Sequence, residues 1–417
     1  MRIALLGTRG IPARYSGFET FYEQLAVRLV QRGHQVTVYN RSHFIKDVQG
    51  RYQGARLVSL ASIPTKHLDT ITHTLLSSLH ALTQGFDVAY YCIVGNSPLV
   101  WIPRLAGART LLNVDGEDWS REKWGAFARW YQRRCERIAS WVADVLVADA
   151  HGVQQRYREV YGVDTVFVPY GANVQCTEDL DVLARWELQP RRYVLYVGRL
   201  VPENASEFLI EAFRGLETDM KLVIVGDAPY ADSYKRQLHA IGASDPRVVF
   251  TGYAFGRDYR QLSSHAYLYV QPSGVNGTRP ALLDQMGFGN CVVVRNSLVN
   301  LEVIGDCGTF FDQHHPAASL REVLARLLAH PEEVSGFRDR VRSRIETYYN
   351  WDWIAAFYED LFARILRRQR LISYDEFLEV RRSGSPMGTA ATSDEAIGRL
   401  TDLSSGPIGA TKGSGRG

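Results

Sequence analysis

Residues Met1–Tyr39 are MRIALLGTRGIPARYSGFETFYEQLAVRLVQRGHQVTVY, and they contain one complete strand–helix–strand unit. The apolar run Ile3–Leu6 predicts a buried strand that stops at a glycine. A helix is expected from about Glu19 to Gly33, because apolar residues recur there with helical spacing. Gln35–Tyr39 then predicts a second strand. Parallel strands joined by a helix form a right-handed βαβ unit, so this segment indicates an α/β fold.

Strand-like segments separated by helical ones recur in both halves of the chain. They are Arg56–Leu60, Val88–Ile93, Thr110–Val114 and Val145–Ala148 in the first half, and Tyr193–Val197, Lys221–Val225, Val248–Phe250, Ala266–Val270 and Cys291–Val294 in the second. We therefore expect two Rossmann-like, doubly wound domains in tandem. Such sheets bind ligands at the carboxyl ends of their strands, so the domains would face each other across one cleft.

The predicted boundaries follow from the points at which the strand–helix pattern stops and restarts. They are 1–170 for the first domain, 171–192 for a linker, 193–345 for the second domain, 346–382 for a C-terminal helical extension and 383–417 for a tail. The extension has an apolar stripe at helical spacing, formed by Trp353, Phe357, Leu361 and Ile365. The tail is rich in Gly, Ser, Thr and Ala, which predicts disorder.

Composition excludes several classes of protein. Of the 417 residues, 46% are hydrophobic and 22% are charged, and the net charge of +3 gives no overall basic excess for nucleic acid. The five cysteines form no C-x-x-C pair, so neither a disulfide framework nor a zinc site is expected. The longest uncharged run, Val88–Pro103, has 16 residues, fewer than the roughly 20 that a membrane-spanning helix needs. These features predict a cytoplasmic protein without a membrane span.

The loop after the first strand is rich in glycine but is not a dinucleotide-binding fingerprint. Gly7–Pro12 lacks the G-x-G-x-x-G spacing, and the second strand ends in Asn40-Arg41 where a ribose-binding acid would stand. A dehydrogenase is therefore disfavoured. The loop continues to Gly17, whose missing side chain would let the backbone approach a phosphate at the start of the helix. Taken alone, these glycines are also consistent with simple turns.

Two segments in the second half point to an anionic ligand. Thr278 is a possible N-cap and Pro280 suits the first helical turn, so the free N–H groups there would bind a diphosphate. Asp284 lies one turn later, where it can accept hydrogen bonds from ligand hydroxyls. Arg199 directly follows a strand, where its guanidinium can bind a phosphate. A capped helix with an incidental carboxylate and an ordinary surface arginine are the simpler alternatives.

In their order and spacing these residues resemble the retaining glycosyltransferases of family 4, which have the GT-B fold. The resemblance is closer to a bacterial branch whose members are often rhamnosyltransferases of polysaccharide assembly. Its marks are Gly7–Pro12, Tyr15–Thr20, Asn113–Gly116, Pro169–Ala172 and Arg199–Asn204. The resemblance implies an acceptor-side first domain and a nucleotide-sugar-binding second domain.

The resemblance also implies roles for individual residues. Gly17 would approach the donor phosphate, Arg199 would neutralise it, and Asp284 would hold the nucleotide ribose. Asp115 stands where many relatives have a histidine facing the donor sugar, which makes it the candidate catalytic residue; a simple strand-end turn is the alternative. The other candidate donor-binding residues are Asn204, Asn276, Gly277, Thr278 and Arg279.

Several positions depart from the family pattern. Asn204 stands where the wider family has a lysine, and Asn276 and Asp284 stand where it has two glutamates. Losing the lysine would weaken diphosphate binding. We hypothesise that Arg279 restores a positive charge at the start of the helix.

No metal and no cofactor besides the nucleotide-sugar co-substrate is expected. The D-x-D motif Asp179–Asp181 falls in the predicted linker, away from the strand ends. Arginine and helix dipoles would stabilise the leaving diphosphate instead. In retaining relatives the acceptor hydroxyl attacks from the face of the leaving group. An ionised Asp115 cannot donate a hydrogen bond to a sugar 6-hydroxyl, which favours a 6-deoxy donor such as dTDP-rhamnose.

The expected partners are a nucleotide-sugar donor and a saccharide or lipid-linked saccharide acceptor, with no nucleic acid. A lipid-linked acceptor would bring the protein to the inner face of the cell membrane as a peripheral protein. Basic and aromatic residues alternate between Arg121 and Arg137, a pattern that suits an anionic bilayer. A solvated basic face over a buried aromatic stripe explains the same pattern.

Other functions remain open at this point. The same scaffold supports a sugar-nucleotide epimerase or a phosphorylase, although no motif indicates a pyridoxal lysine. A catalytically impaired nucleotide-sugar-binding protein would explain the departures at Asn276 and Asp284. His73, His314 and His315 lack metal-ligand spacing, and we predict that they are surface residues.

Overall fold

Two parallel β-sheets, one after the other in the chain, form the framework of the protein. The computed structural model describes residues 1–13, 17–48, 50–65, 68–114, 125–228, 231–274 and 277–383. The strand–helix alternation seen in the sequence is present in both halves, so the prediction of two Rossmann-like domains is confirmed.

The first sheet has the strand order β3-β4-β2-β1-β5-β6-β7-β8, and its strands are parallel except for β3. The strands are β1 (Arg2–Leu6), β2 (Gln35–Arg41), β3 (Arg51–Tyr52), β4 (Ala55–Leu60), β5 (Val88–Tyr91), β6 (Arg109–Val114), β7 (Val145–Ala148) and β8 (Val166–Phe167). The helices of this half are α1 (Gly17–Gln31), α2 (Asp69–Leu82), α3 (Ala126–Val142) and α4 (His151–Tyr161). Helix α1 thus begins two residues before the predicted start.

The second sheet is parallel throughout, in the order β11-β10-β9-β12-β13-β14. Its strands are β9 (Tyr193–Val197), β10 (Lys221–Val225), β11 (Val248–Gly252), β12 (Leu268–Gln271), β13 (Cys291–Arg295) and β14 (Thr309–Phe311). Its helices are α5 (Ser206–Arg214), α6 (Asp232–Gly242), α7 (Gly256–Ser264), α8 (Pro280–Gly287), α9 (Leu298–Ile304), α10 (Pro316–Ala329) and α11 (Pro331–Thr347). The apolar residues of β9, β10, β12 and β13 pack with α5 and α10 in one buried core.

Each sheet has one point at which the strand order reverses direction. It lies between β1 and β5 in the first sheet and between β9 and β12 in the second. Helices leave the two central strands to opposite sides at such a point, so a crevice opens at the carboxyl ends of those strands. The fold therefore predicts ligand binding after β9 and β12.

The long helix α12 (Trp351–Arg367) follows the second domain in sequence but packs against the first. The hydroxyl groups of Tyr90 and Tyr358 are 2.9 Å apart, and the rings of Phe21 and Trp351 lie with centroids 6.1 Å apart. The predicted stripe is buried at Phe357, Leu361 and Ile365 and half-buried at Trp353. Helix α12 therefore ties the end of the second half to the first sheet.

Beyond α12 lies α13 (Tyr374–Ser383), and the contacts divide the chain at Asp375, inside this helix. Of the predicted disordered tail 383–417, Ser383 is the last residue of α13, and residues 384–417 lie outside the described residues. Among the helices that the structure describes, none is both long enough and apolar enough to span a bilayer.

The prediction that His73 is a surface residue is wrong. Its side chain is fully buried in α2, and its Nε2 bonds the main-chain carbonyl of Asn40 at 3.0 Å. Burial, assisted by the positive charge of Arg41, lowers the pKa of His73 to about 4, so the ring is neutral at physiological pH. His314 and His315 are exposed, as predicted.

Candidate active site

The two segments that the sequence singled out in the second domain flank the reversal point of its sheet. Arg199 follows β9, and the loop Gly277–Arg279 lies between β12 and α8. A chain of hydrogen bonds connects the segments: Arg279 Nη2 donates to Ser273 Oγ at 3.1 Å, and Ser273 Oγ donates to the carbonyl of Glu203 at 3.0 Å. The predicted diphosphate-binding groups are therefore neighbours.

Arg199 is held by its backbone and not by its side chain. Its carbonyl accepts the amide of Asn204 at 2.7 Å and the hydroxyl of Tyr196 at 3.3 Å. The guanidinium makes no hydrogen bond or ion pair with any residue that the structure describes. Asn204, predicted to bind the donor, therefore contacts the Arg199 loop, and its role toward the donor stays a prediction.

The positive charges of Arg279 and Arg199 both favour ionisation of the buried hydroxyl group of Tyr196. Burial raises the pKa of Tyr196 well above its ordinary value, and the positive charges of Arg279 and Arg199 oppose that rise. Both positive charges therefore act on the hydroxyl group of Tyr196. This arrangement agrees with the hypothesis that Arg279 supplies an additional cation, and leaves it to experiment.

The prediction that Thr278 is the N-cap of α8 is wrong. Arg279 is the N-cap residue and makes no side-chain capping bond, while Pro280 occupies the first turn as expected. Thr278 turns to the first domain, where its N–H donates to Asp149 Oδ2 at 3.2 Å and its hydroxyl donates to the Asp149 carbonyl at 2.9 Å. The N–H of Thr278 is therefore already used, and a diphosphate at this helix would bind to other donors.

Gly17 brings the first domain to the same place. A Cβ atom at Gly17, the first residue of α1, would lie only 2.6 Å from Cγ of Pro280, the first residue of α8. A side chain at position 17 is thus excluded by the close approach of the two helix starts. The positive ends of two helix dipoles converge there, which favours a negatively charged ligand.

Asp284 lies in the second turn of α8 and is partly buried. Burial raises the pKa of Asp284 to about 7, although a hydrogen bond from the hydroxyl of Tyr259, at 3.4 Å from Oδ2, acts in the opposite direction. Near neutral pH this carboxyl group therefore exchanges between a form that only accepts hydrogen bonds and one that also donates. Both forms can bind a sugar hydroxyl.

Two predicted site residues, Asp115 and Asn276, lie outside the described residues. Their roles stay predictions.

The D-x-D segment contacts α7. Asp181 Oδ1 forms an ion pair with Arg257 and accepts the amide of Gln261 at 2.9 Å. Asp179 contributes its carbonyl to Nε2 of His265 at 2.9 Å. Within the described part of the chain, no group of three or more His, Cys, Asp or Glu side chains is arranged to hold a metal ion.

Sequence reasoning missed Asp149 and a cavity lined in part by Leu200. Asp149 directly follows β7, so the rule that places functional residues at strand ends would have found it. The cavity has a volume of about 430 Å³ and lies at the carboxyl ends of β9, β10 and β11. Its walls include Leu200, Asp227, Lys235 and Thr251. Its size falls within the usual range of small-molecule sites.

Two family models match the chain, one in each domain. Residues 16–171 match the glycosyl transferase 4-like domain, and residues 191–330 match the family described as glycosyl transferases group 1. A GDP-mannose-dependent α-(1-6)-phosphatidylinositol monomannoside mannosyltransferase of Mycobacterium tuberculosis is 25% identical over 394 residues, which cover 85% of this chain and 97% of the relative. The O-antigen chain mannosyltransferase B of Escherichia coli is 30% identical over 154 residues, 36% of this chain and 40% of that relative.

Solved structures have the same fold at low sequence identity. A sucrose-phosphate synthase from Thermosynechococcus elongatus has a TM-score of 0.76 and 20% identity, covering 88% of this chain and 100% of the other. Anabaena HepE in complex with UDP and glucose has a TM-score of 0.73 and 16% identity, covering 87% and 99%.

The chain is a glycosyltransferase with the GT-B fold, as the sequence predicted. More particularly, its first half is similar to the glycosyl transferase 4-like domain, and its second half is similar to the family of glycosyl transferases group 1. The narrower resemblance to rhamnosyltransferases stays a prediction, since the relatives include mannosyltransferases.

Proposed function

We propose that this glycosyltransferase moves a sugar from a nucleotide-sugar donor to a saccharide or lipid-linked saccharide acceptor in the synthesis of a cell-surface polysaccharide or glycolipid. The observation that carries the proposal is the close approach of two helix N-termini at Gly17 and Pro280, beside a loop that Arg279 and Ser273 connect to the Arg199 segment. This arrangement suits a diphosphate leaving group, and the cavity beside Leu200 can take the attached nucleoside. Two relatives, a GDP-mannose-dependent mannosyltransferase and an O-antigen mannosyltransferase, support the same class of reaction.

The proposed reaction retains the configuration of the sugar. The acceptor hydroxyl attacks C1 from the face of the leaving group, the bond from C1 to the diphosphate breaks, and a diphosphate oxygen takes the proton of the hydroxyl. Arg199, Arg279 and the helix dipoles stabilise the negative charge that develops on the diphosphate. Asp115 would orient the sugar or stabilise its positive charge.

The reaction is proposed to need no divalent metal. Arg199 and Arg279 are proposed to supply the positive charge that a metal ion would otherwise bring. The D-x-D aspartates, which bind metal in some transferases, are engaged with α7, where Asp181 pairs with Arg257. Turnover measured with and without a chelator tests this point, and loss of activity that Mg²⁺ or Mn²⁺ restores would refute it.

The donor is proposed to be a 6-deoxy sugar nucleotide such as dTDP-rhamnose. The competing candidate is GDP-mannose, because the mycobacterial relative is a GDP-mannose-dependent mannosyltransferase. Thermal-shift screening of dTDP-rhamnose, GDP-mannose and UDP-glucose, followed by turnover with the best binder, separates the candidates. A clear preference for GDP-mannose or UDP-glucose would remove rhamnose.

The impaired-catalysis and epimerase alternatives are not favoured, because the matching families and the named relatives are transferases. Mass spectrometry of products distinguishes them. A glycosylated lipid-linked acceptor supports the transferase, whereas donor binding without a product supports a binding protein, and an isomerised donor supports an epimerase.

We also propose peripheral contact with an anionic membrane through α3. The side chains of Phe127 and Trp130 are 77% and 53% exposed and stack with ring centroids 5.8 Å apart. Arg134 lies over the Trp130 ring, and Arg129 and Arg137 are exposed as well. A buried aromatic stripe therefore does not explain Phe127 and Trp130. Tyr131 does turn inward, and its hydroxyl donates to the carbonyl of Gly95 at 3.0 Å. Arg121, Lys123 and Trp124 lie outside the described residues.

Liposome flotation tests this contact. The wild type is expected to float with vesicles containing phosphatidylglycerol and to remain behind with pure phosphatidylcholine. Phe127→Ser with Trp130→Ser should abolish flotation, while Leu298→Ser, which removes an 81% exposed leucine of the second domain, should not. Equal binding to neutral vesicles, or no effect of the double variant, would refute the proposal.

A further inference from the structure

We propose that Asp149 of the first domain is a positioning residue that holds the loop Gly277–Arg279 of the second domain in its diphosphate-binding form. Asp149 is 1% exposed. Its side chain and its main-chain carbonyl both bond Thr278, at 3.2 Å and 2.9 Å. The proposal rests on the proposed function, because this loop is the suggested diphosphate site.

The loop has few local means of holding its own shape. Its last residue, Arg279, makes no capping bond to α8, and Pro280 has no N–H to donate. Gly277 has a φ of 104°, a left-handed conformation that other residues adopt only with strain. The bond from Arg279 to Ser273 anchors one end of the loop, and the bonds from Thr278 to Asp149 anchor its centre.

In this proposal Asp149 acts on the loop and does not bind the donor itself. A carboxylate beside a diphosphate repels it, and burying a carboxylate is costly unless hydrogen bonds compensate. Thr278 supplies such a bond through its N–H. The Asp149 carboxylate therefore favours diphosphate binding indirectly, because it fixes the loop through Thr278.

The contact also couples the two domains to donor binding. Asp149 can hold the loop only while the domains are together, so closure favours the diphosphate-binding form. Linkage is reciprocal, and a bound diphosphate must therefore favour closure by the same free energy. The expected signature of Asp149 is a change in nucleotide affinity caused by a residue that never touches the nucleotide.

The same turn of the first domain offers a matched control. The N–H of His151 donates to Glu302 Oε2 at 3.2 Å, and Val299 packs in the core of the first domain. These contacts of α9 join the domains without involving Gly277–Arg279. Glu302→Gln removes the carboxylate charge that lies 4.0 Å from His151 Nε2, so it perturbs the interface but leaves the loop anchored.

The test is isothermal titration calorimetry with dTDP, UDP and GDP, using whichever binds the wild type most tightly. Asp149→Ala should weaken binding at least tenfold, and the donor KM should rise more than kcat falls. Asp149→Asn keeps an oxygen that accepts the N–H of Thr278, so it should bind within threefold of the wild type or more tightly. Glu302→Gln should stay within threefold.

Several results would overturn the inference. Unchanged binding by Asp149→Ala means that the loop does not depend on Asp149, and an equal loss in Glu302→Gln means that general domain packing is responsible. If Asp149→Ala does not fold, Thr278→Val removes the hydroxyl bond alone and should weaken binding threefold or more; no change again refutes the idea. A wild type that binds none of the three nucleotides refutes the proposed function as well, which distinguishes the two failures.

Discussion

Arg199 and Arg279 are the residues through which the site would hold its leaving group. Removing either guanidinium should lower donor affinity at least tenfold, because a hydrogen bond to a charged group contributes about 1.5–3 kcal/mol and 1.4 kcal/mol is a factor of ten. Calorimetry on Arg199→Ala and Arg279→Ala measures this. Arg158→Ala, an exposed arginine of α4, is the control and should bind like the wild type. If only Arg199→Ala loses binding, the compensating role of Arg279 is wrong.

The raised pKa of Asp284 predicts that the free energy of unfolding depends on pH. Its pKa is about 7 in the folded protein and near 4 when unfolded, so the folded state binds the extra proton between these values. The free energy of unfolding should therefore fall as pH rises from about 4 to 7. Asp284→Asn cannot ionise, so it should match the wild type near pH 4 and exceed it by about 1–4 kcal/mol at pH 8.

Urea denaturation at pH 4.5 and pH 8 measures the difference between Asp284→Asn and the wild type. A stability difference that is the same at both pH values would contradict the raised pKa.

At the scale of the elements, adding one methyl group at Gly17 tests whether activity needs the close contact between the starts of α1 and α8. Gly17→Ala would place its Cβ atom 2.6 Å from Pro280 Cγ, so the two helix starts must separate. We expect the donor kcat/KM to fall at least tenfold, with a smaller effect on melting temperature. Gly152→Ala is the control, since a Cβ there meets nothing within 4 Å, and alanine in α4 should leave activity unchanged and add up to about 1 kcal/mol of stability. Equal activity of Gly17→Ala and the wild type would show that the close approach is not needed.

Helices and strands could be predicted where neighbouring residues in the sequence determine them. The strands β1, β2, β9 and β10 are short apolar runs between glycines and helices, and the position of Arg199 at a strand end follows from the same pattern. The cap of α8 was not predictable, because Thr278 bonds a residue 129 positions earlier that belongs to the other domain. The burial of His73 likewise depends on the packing of α2 against β2, which no periodicity within α2 reveals.

At the scale of the whole molecule, α12 joins the two halves. Its buried residues include Trp351, Phe357, Tyr358 and Phe362, and burying each large side chain contributes about 1.5–3 kcal/mol. Their sum is comparable with the entire stability of a typical domain, about 5–15 kcal/mol. A chain ending at Asn350 should therefore fail to fold or melt far below the wild type, whereas a chain ending at Ser383 should melt with it. Circular dichroism melting curves compare the two, and a stable chain ending at Asn350 would refute the role of α12.

The fold could be predicted from the sequence because strand–helix units repeat along the chain, and the class of enzyme could be predicted from the resemblance of the loop motifs to family 4 glycosyltransferases. The donor sugar could not be fixed in the same way. Donor specificity depends on which side chains the folded chain brings together around the sugar, and Asp115, on which the rhamnose prediction rests, lies outside the described residues.

Where α12 returns to the first sheet, the chain crosses between the domains for a second time, directly beside its first crossing. The N–H of Ala172 donates to the carbonyl of Tyr349 at 2.8 Å, and Ala172 pairs with Asn350. The second half therefore cannot be exchanged as a separate unit. A hybrid enzyme that takes residues 173–348 from a relative, and leaves both crossings and α12 with their native first domain, would keep this contact intact, whereas a simple cut at the linker would pack a foreign helix against the first sheet.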